Sequence, residues 1–471
     1  MNTRSIHQRI LQFLLFIACF RLAAESRAET AVLLTTITNP SPTNGNLFGA
    51  AVAPFGAERM LITAPSQDVS PFYPGAVALF TTNAVPLTTI TNPSGLSEES
   101  FGASVTGVGN EWVVVGTPYA GSSSGGRGTV YMFDTNGILL RTLTNPTPEL
   151  QDTLDSFGMS LAPFGTNALL VGAYDLYYWK VMPGTVYLLD TSGNSINTFT
   201  NPLPETNGMF GVSMAALGTD RVLIGAALNT INGLQSGAAY LYHTNGSLLR
   251  TFFDPTPADY DHFGTRVAAL GTDRVIITAP RAHAQPGGGN TGAAFIFSTN
   301  GTLLLTITNP APPSAGVARF GAPLAVSAEH RLLIGGYRGA AYVYSTNGTL
   351  ITTVTNPNPT GDAFGSSLAW VGLDRILVGD SGSNMGGTDN GVAYLFGIIP
   401  QPSLQIWPTL TNTIAVSWPL PSTGWTLQQN TNGITTVNWS NITSGILDDG
   451  TTRTFVLSPR LGNGFFRLVN P

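Results

Sequence analysis

The stretch FGVSMAALGTDRVLIGAALNTINGLQSGAAYLYHTNGSLLRTFFDP, residues 210–255, decides the reading of this chain, because it recurs with variation seven times between residues 33 and 396. Its opening Phe-Gly returns at Phe48, Phe101, Phe157, Phe210, Phe263, Phe320 and Phe364. Fifteen residues after each Phe stands a second motif: Thr63-Ala64-Pro65, Gly116-Thr117-Pro118, Gly172-Ala173-Tyr174, Gly225-Ala226-Ala227, Thr278-Ala279-Pro280, Gly335-Gly336-Tyr337 and Gly379-Asp380-Ser381. The offset is the same in every copy. Self-similarity at about 50 residues marks a propeller or another repeat array, in which each unit buries its apolar faces against its neighbours.

Within a repeat the pattern predicts four short strands. The first opens at Phe-Gly, as in residues 263–268, and a tight Gly-Thr-Asp link follows. The second, as in residues 274–278, is a nearly continuous apolar run, which is how a strand buried on both faces reads. The third starts at a glycine, as at Gly75 and Gly339, and carries aromatics. Thr-Asn-Gly at 135–137, 244–246, 299–301 and 346–348 joins it to the fourth, and Asn-Gly predicts a two-residue type I′ hairpin turn there. The fourth strand ends in Asn-Pro at 39–40, 92–93, 145–146, 201–202, 309–310 and 356–357, and in Asp254-Pro255, because proline removes a ladder donor. The phase leaves an unpaired fourth strand, residues 32–38, ahead of the first Phe-Gly, and the last repeat stops after its third strand, residues 391–396. Joining the two closes a ring of seven blades and removes the exposed edges.

Phe-Gly, then Gly-Ala-Pro, then Gly-Ala-Val/Ala-Tyr resembles the FG-GAP repeats of integrin α-subunit propellers and their bacterial secreted relatives, over about 365 residues. The resemblance implies a seven-bladed β-propeller that binds ligands outside the cell. Many repeats of that family hold calcium on an Asp-x-Asp-x-Asp-Gly loop between the two motifs. Here the link reads Gly218-Thr219-Asp220-Arg221 or Gly372-Leu373-Asp374-Arg375, with one acid, whereas calcium takes six to eight oxygens. No cofactor is therefore expected, and no metal ligand is assigned. The double-glycine and tryptophan pattern of kelch repeats is not present.

Composition supports an exported all-β protein. Gly (54) and Pro (32) make up about 18% of 471 residues, against roughly 12% on average, and charged residues only 10% against roughly 25%. Lys180 is the sole lysine, and a net charge of −6 without a basic block argues against nucleic acid. Arg4 and Arg9 precede an apolar run, residues 10–20, too short to span a bilayer, and Ser26-Arg27-Ala28 offers small residues for a signal peptidase. Residues 1–28 are thus read as a signal peptide. The rival is a lipoprotein acylated at Cys19, the single cysteine, so disulfides do not stabilise the mature chain. Residues 29–397 form the propeller, 398–403 a linker and 404–471 a small β-sandwich, in which Ile414, Val416 and Trp418 alternate with polar residues and Phe465-Phe466-Arg467-Leu468 ends the chain. This last part resembles C-terminal β-sandwich modules of secreted bacterial proteins.

Antiparallel strands send their links to alternate faces. The first-to-second and third-to-fourth links share one face and hardly vary. The second-to-third and fourth-to-first links share the other face and differ from blade to blade, so binding is expected there. That face carries Phe72, Tyr73, Tyr119, Tyr174, Tyr177, Tyr178 and Trp179 as candidate ligand contacts, with aromatic rings suited to a sugar or a protein anchor. Asp175 and Lys180 accompany them, and Glu98, Glu99, Glu149, Asp152, Asp155, Glu205, Asp259 and Asp261 read as solvated loop acids. Asp259, Asp261, His262 and His283 are a weaker metal-ligating set. Gly379-Asp380-Ser381-Gly382 mimics a serine-protease motif but occupies the Gly-Ala-Pro position, and no catalytic residue is assigned. Asn-x-Ser/Thr sequons stand at Asn245, Asn300, Asn347, Asn438 and Asn441. The sequence thus predicts a monomeric, non-catalytic binding or adhesion protein for a glycan or protein, secreted or at the cell surface, with no membrane span. A structural spacer of the envelope or matrix and a polysaccharide-active enzyme with paired carboxylates are the alternatives.

Overall fold

The structure, a computed structural model, describes residues 29–41, 47–65, 75–96, 99–120, 127–147, 156–174, 184–203, 208–282, 291–310, 319–336, 339–358, 363–383, 390–400, 402–409, 411, 413–419, 425–431, 438–458 and 464–469. It divides into two compact units, Ala31–Ile398, and Met1–Thr30 together with Ile399–Pro471. Every regular element among the described residues is a β-strand.

The first unit contains seven four-stranded antiparallel sheets, the blades, each built from consecutive strands except the last. Blade 1, for example, runs Val52–Phe55, Arg59–Ala64, Ala76–Thr81 and Pro86–Thr91. The innermost strands of blades 2 to 7 are Ser104–Val108, Phe157–Phe164, Phe210–Leu217, Arg266–Leu270, Leu324–Val326 and Phe364–Val371. Each packs beside the inner strand of the next blade, and blade 7 returns to blade 1, so the unit is a closed ring. Blade 7 takes its fourth strand from the other end of the chain: Glu29–Thr38 lies beside Val392–Pro400.

The second strands lack polar alternation because their two faces look at two different neighbours. In Arg221–Ala226, Val222 and Ile224 pack towards blade 3, while Leu223 packs towards blade 5. The seam that closes the ring is built like the others. Ile37 from the returning strand, Leu377 and Leu395 of blade 7, and Phe48, Met60 and Ile62 of blade 1 share one buried cluster. Fully burying one such side chain contributes about 1.5–3 kcal/mol, and every seam repeats the arrangement.

The two recurrent motifs meet across the seams. All seven Phe rings are buried, and each sits on the third-strand aromatics of its own blade. Phe263 lies 5.8 Å from Phe295 and 6.1 Å from Phe297, edge to face with the latter. The backbone of the same Phe reaches the preceding blade. Phe263 N donates to Ser236 O at 2.8 Å and Phe48 N to Asn390 O at 3.0 Å. The glycine that opens the preceding third strand is there because nothing larger fits. A Cβ on Gly237 would stand 2.2 Å from Phe263 O, and one on Gly391 2.1 Å from Phe48 O. The following Gly of Phe-Gly lies against the Gly-Ala-Pro glycine of the preceding blade, and a hydroxyl ties the two blades. Ser104, Ser213 and Ser367 donate through Oγ to the carbonyls of Gly158, Gly264 and Gly49 at 2.7, 2.9 and 2.7 Å. Blade 5 has Arg266 at that serine position, and there Thr278, replacing the Gly-Ala-Pro glycine, donates to Gly321 O at 2.8 Å.

Two local expectations are corrected. Phe-Gly does not simply open the first strand. It is a bulge, with register shifts between Phe157 and Ser160, Phe210 and Met214, and Phe364 and Ser367, because the glycine after each Phe has positive φ. The Thr-Asn-Gly links are not type I′ turns either. Asp134 and Ile138 bracket a three-residue loop, Gly137 N closes a turn on Asp134 O at 3.1 Å, and only the glycine, at φ 82°, is left-handed. A turn with right-handed central residues followed by a left-handed glycine is the commonest three-residue hairpin. Asp134 supports it by accepting from Asn136 N and Ile138 N at 2.9 and 2.8 Å.

In the second unit, one sheet joins Gln405–Pro408, Ile414–Pro419, Thr452–Leu457 and Ile446–Asp448, and another joins Ser440–Asn441, Thr426–Asn430 and Phe465–Val469. Val416, Trp418, Leu427 and Ile442 form the shared core between them, giving the small sandwich that the alternation predicts.

Candidate functional site

Of the candidate contacts on the variable-loop face, Phe72, Tyr73, Tyr177, Tyr178 and Trp179 lie outside the described residues, as do Glu98, Glu149, Asp152, Asp155, Asp175, Lys180, Glu205 and His283. Tyr119 is half-buried, and its N donates to Glu99 O at 3.3 Å. Tyr174 differs from the expected exposed loop aromatic: it is 6% exposed. Burial pushes its phenol up to about 12, against the pull of Arg266 from blade 5 and with a push from Tyr119 of blade 2. The Tyr174 phenol thus senses side chains of blades 2 and 5 as well as its own blade.

The loop acids are not simply solvated. Glu99 is buried and accepts from Asn92 Nδ2 at 2.9 Å and from Ser94 Oγ. Asn92 in turn caps its own Asn-Pro turn, its Oδ1 accepting from Ser94 N at 3.2 Å. The turn recurs at Asn39, Asn145, Asn201 and Asn356. In blade 4 aspartate replaces the asparagine. Asp254 Oδ1 accepts from Thr256 N at 2.8 Å, but Oδ2 is buried without a hydrogen-bond partner. The residue seven positions on, the place of Glu99, is Asp261, itself buried and accepting from Ala258 N at 2.6 Å. Burial, reinforced by Asp261, raises the Asp254 carboxyl to about 6.

Nearby His262 is held down to about 4 by burial and by Arg281 and Arg319, so its surroundings oppose positive charge. Among the described residues no three His, Cys, Asp or Glu side chains group as metal ligands. Asp380 is buried, and its Oδ1 accepts from Ala363 N at 3.2 Å, a structural role within blade 7.

The opposite face holds a feature that the repeats make readable. Eleven residues after each Phe, at the start of the second strand, stands Arg59, Arg221, Arg274, Arg331 or Arg375, but Trp112 in blade 2 and Ala168 in blade 3. Three of these arginines, Arg59, Arg221 and Arg375, staple neighbouring blades. Arg59 Nη2 donates to Asn110 O of blade 2 at 2.6 Å, and Arg221 Nη2 donates to Thr272 O of blade 5 at 2.8 Å. Arg375 of blade 7 donates to Thr82 O and to Asn83 Oδ1 of blade 1, the latter at 2.7 Å. Arg59 also lies over the Phe55 ring at 4.4 Å. Where blade 2 lacks the staple, a cavity of about 710 Å³ opens between blades 1, 2 and 3, lined by Gly109, Asn110, Glu111, Trp112, Pro163 and Thr166 among others. The binding expectation looked to the other face. The signal that finds this cavity is the break in the arginine series, which an alignment of the seven repeats exposes.

Ring closure, seven four-stranded sheets and short antiparallel links define a β-propeller. No family model matches the chain, and no curated protein is similar to it in sequence. Solved structures share the fold. Raptor from Chaetomium thermophilum superposes with a TM-score of 0.52 at 10% identity, covering 81% of this chain and 30% of its own, so the chain spans under a third of that protein. BamB from Moraxella catarrhalis gives 0.42 at 13% identity, covering 78% of this chain and 97% of its own. The Dos1 propeller gives 0.47 at 10%, covering 80% and 97%. At such identities the likeness to Raptor concerns the fold alone, and the two lower scores carry no argument.

Proposed function

We propose that the chain is an exported, non-catalytic binding or adhesion protein, an FG-GAP-type propeller that contacts a glycan or a protein through the loops that differ between blades. The observation that carries this reading is a contrast within one ring. The seams repeat the same backbone contacts around the circle, Phe48 on blade 7 as Phe263 on blade 4. The second-to-third links do not repeat. In blade 4 that link folds on itself through Ile231 and Leu234, whereas in blade 6 it shrinks to Gly336–Gly339. A rigid ring with variable loops is a display platform, and binding residues concentrate on such loops.

The test is a thermal melt of the chain from Glu29 onward with a glycan panel, with calcium and with chelator. A ligand that binds only the folded ring raises the midpoint by mass action. Replacing Tyr177, Tyr178 and Trp179 together by alanine is expected to abolish the shift produced by the glycan that gives one. An undiminished shift would remove these loops from the binding surface.

A further inference from the structure

The cavity between blades 1, 2 and 3 lies on the face away from the variable loops and has a chemistry of its own. In two seams the staple ends at the same place: the arginine eleven residues after one Phe donates to the carbonyl nine residues after the next, Arg59 to Asn110 and Arg221 to Thr272, whereas Arg375 at the closing seam reaches Thr82 O and Asn83 Oδ1 instead. The carbonyl at the equivalent offset from position 112, matching Asn110 and Thr272, is Thr166 O. Thr166 lines the cavity, and its carbonyl oxygen stands 3.2 Å from where a Cβ on Gly109 would be. Position 112 is tryptophan, which has no guanidinium to offer, so this carbonyl receives no staple.

The acid beside it is also left over. Asp220 pairs with Arg221 at 3.4 Å and Asp273 with Arg274 at 3.9 Å. Glu111 occupies the equivalent place in blade 2, exposed, followed by Trp112 instead of an arginine and with no ion pair among the described residues. A carboxylate without an ion pair, an unstapled carbonyl and a half-exposed indole therefore line one cavity. Together they are the complement of a guanidinium, which takes a carboxylate on its donor fork and stacks on an aromatic face. The chain itself shows the mode one seam away, where Arg59 lies over Phe55 and donates to Asn110 O.

We propose that this cavity accepts the side chain of an arginine presented by a protein partner, which takes the place of the staple that blade 2 lacks. A volume of about 710 Å³ exceeds one side chain and admits the flanking peptide backbone. The site is independent of the variable-loop face, so its failure and the failure of the proposed function are separable.

The experiment uses the chain from Glu29 onward and three blocked tripeptides, Gly-Arg-Gly, Gly-Lys-Gly and Gly-citrulline-Gly, titrated by calorimetry. Saturable binding is expected for the arginine peptide, weaker binding for lysine, and none for citrulline, which keeps the shape and loses the charge. Glu111→Gln is expected to weaken the arginine peptide about tenfold, since it removes one charge-assisted pair. Trp112→Arg supplies the staple in cis and is expected to abolish peptide binding while raising the melting midpoint. The triple alanine variant at 177–179 is expected to bind the peptide as the parent does. Equal binding of arginine and citrulline peptides, no binding of either, or undiminished binding by Glu111→Gln would each overturn the proposal. Glu111 is an exposed loop residue, so that variant remains informative if Trp112→Arg fails to fold.

Discussion

Asp254→Asn should make the protein more stable, and only above acidic pH. Six of seven blades end their fourth strand in Asn-Pro, and Asp254 stands where the others have an amide. Its carboxyl is 5% exposed, and its pKa rises from 3.8 to about 6 through burial first and Asp261 second. A raised folded-state value means that the folded protein binds the proton more tightly than the unfolded chain. The associated stability is present below pH 3.8 and is lost as pH rises through about 6. The loss is up to about 3 kcal/mol at pH 8. Asparagine keeps the acceptor for Thr256 N and can turn its amide to Asp261, as Asn92 Nδ2 turns to Glu99 at 2.9 Å. For a ring of this length the gain corresponds to roughly 4 °C in the midpoint at pH 8.

His262 supplies an internal control. Its value is lowered to about 4, so its contribution is present above 6.5 and is lost as pH falls towards 4. The two slopes oppose each other in the parent. Urea unfolding from pH 4 to 8 should therefore show a shallow profile for the parent and, for Asp254→Asn, a profile that rises with pH. Parallel profiles for the two proteins, or a variant less stable at pH 8, would refute the reasoning.

Three further outcomes follow from the seams and the second core. Gly391→Ala puts a Cβ 2.1 Å from Phe48 O in the closing seam, whereas Gly372→Ala in the same blade, at φ 66° with nothing within 4 Å, meets only the left-handed penalty of about 1–2 kcal/mol. The first should lower the urea midpoint by clearly more than the second, and equal effects would mean that the ring does not close through this contact. Ser213→Ala removes the buried donor to Gly264 O at 2.9 Å and should destabilise the ring by about 1–3 kcal/mol, measured by the same unfolding. Trp418→Ala, at a residue 1% exposed, should cost about 3–5 kcal/mol in the sandwich. In calorimetry its transition should fall away while that of the ring stays.

Much of the ring was legible because repetition makes a weak local signal into a strong one. Phe263 alone says little, but seven copies at one offset from a second motif imply that the motifs touch, and they touch across the seams. The orphan strand and the missing one were legible for the same reason, since an array of whole units makes a remainder visible. The turn at Thr-Asn-Gly was misread because the dipeptide fits both a two-residue and a three-residue loop. The choice was made by the residue before it: Asp134 binds Asn136 N and Ile138 N and lengthens the loop. Tyr174 was misplaced because an aromatic after a glycine-alanine pair reads as loop. Its burial, with Arg266 two blades on in its electrostatic surroundings, is a property of the closed ring and leaves no trace in the local sequence. The arginine staples lay in plain view, yet an Asp-Arg pair reads as a local turn, and a bond to the next blade about 50 residues away leaves no local trace.

The returning strand has a mechanical consequence. Ala31 packs beside the cluster that contains Ile398, Leu34 lies 3.4 Å from where a Cβ on Gly397 would be, and Ile37 shares a cluster with Ala393 and Leu395. The strand thus runs opposite to its neighbour, and the chain enters and leaves the ring at the same edge. Tension applied between residues 29 and 400 would load this pair as a zipper, one rung at a time, rather than in shear across all rungs together. The six other blades, whose strands are continuous in the chain, would feel no load until that zipper had run. Force would therefore open the ring at blade 7 first, making the closing strand its mechanical fuse.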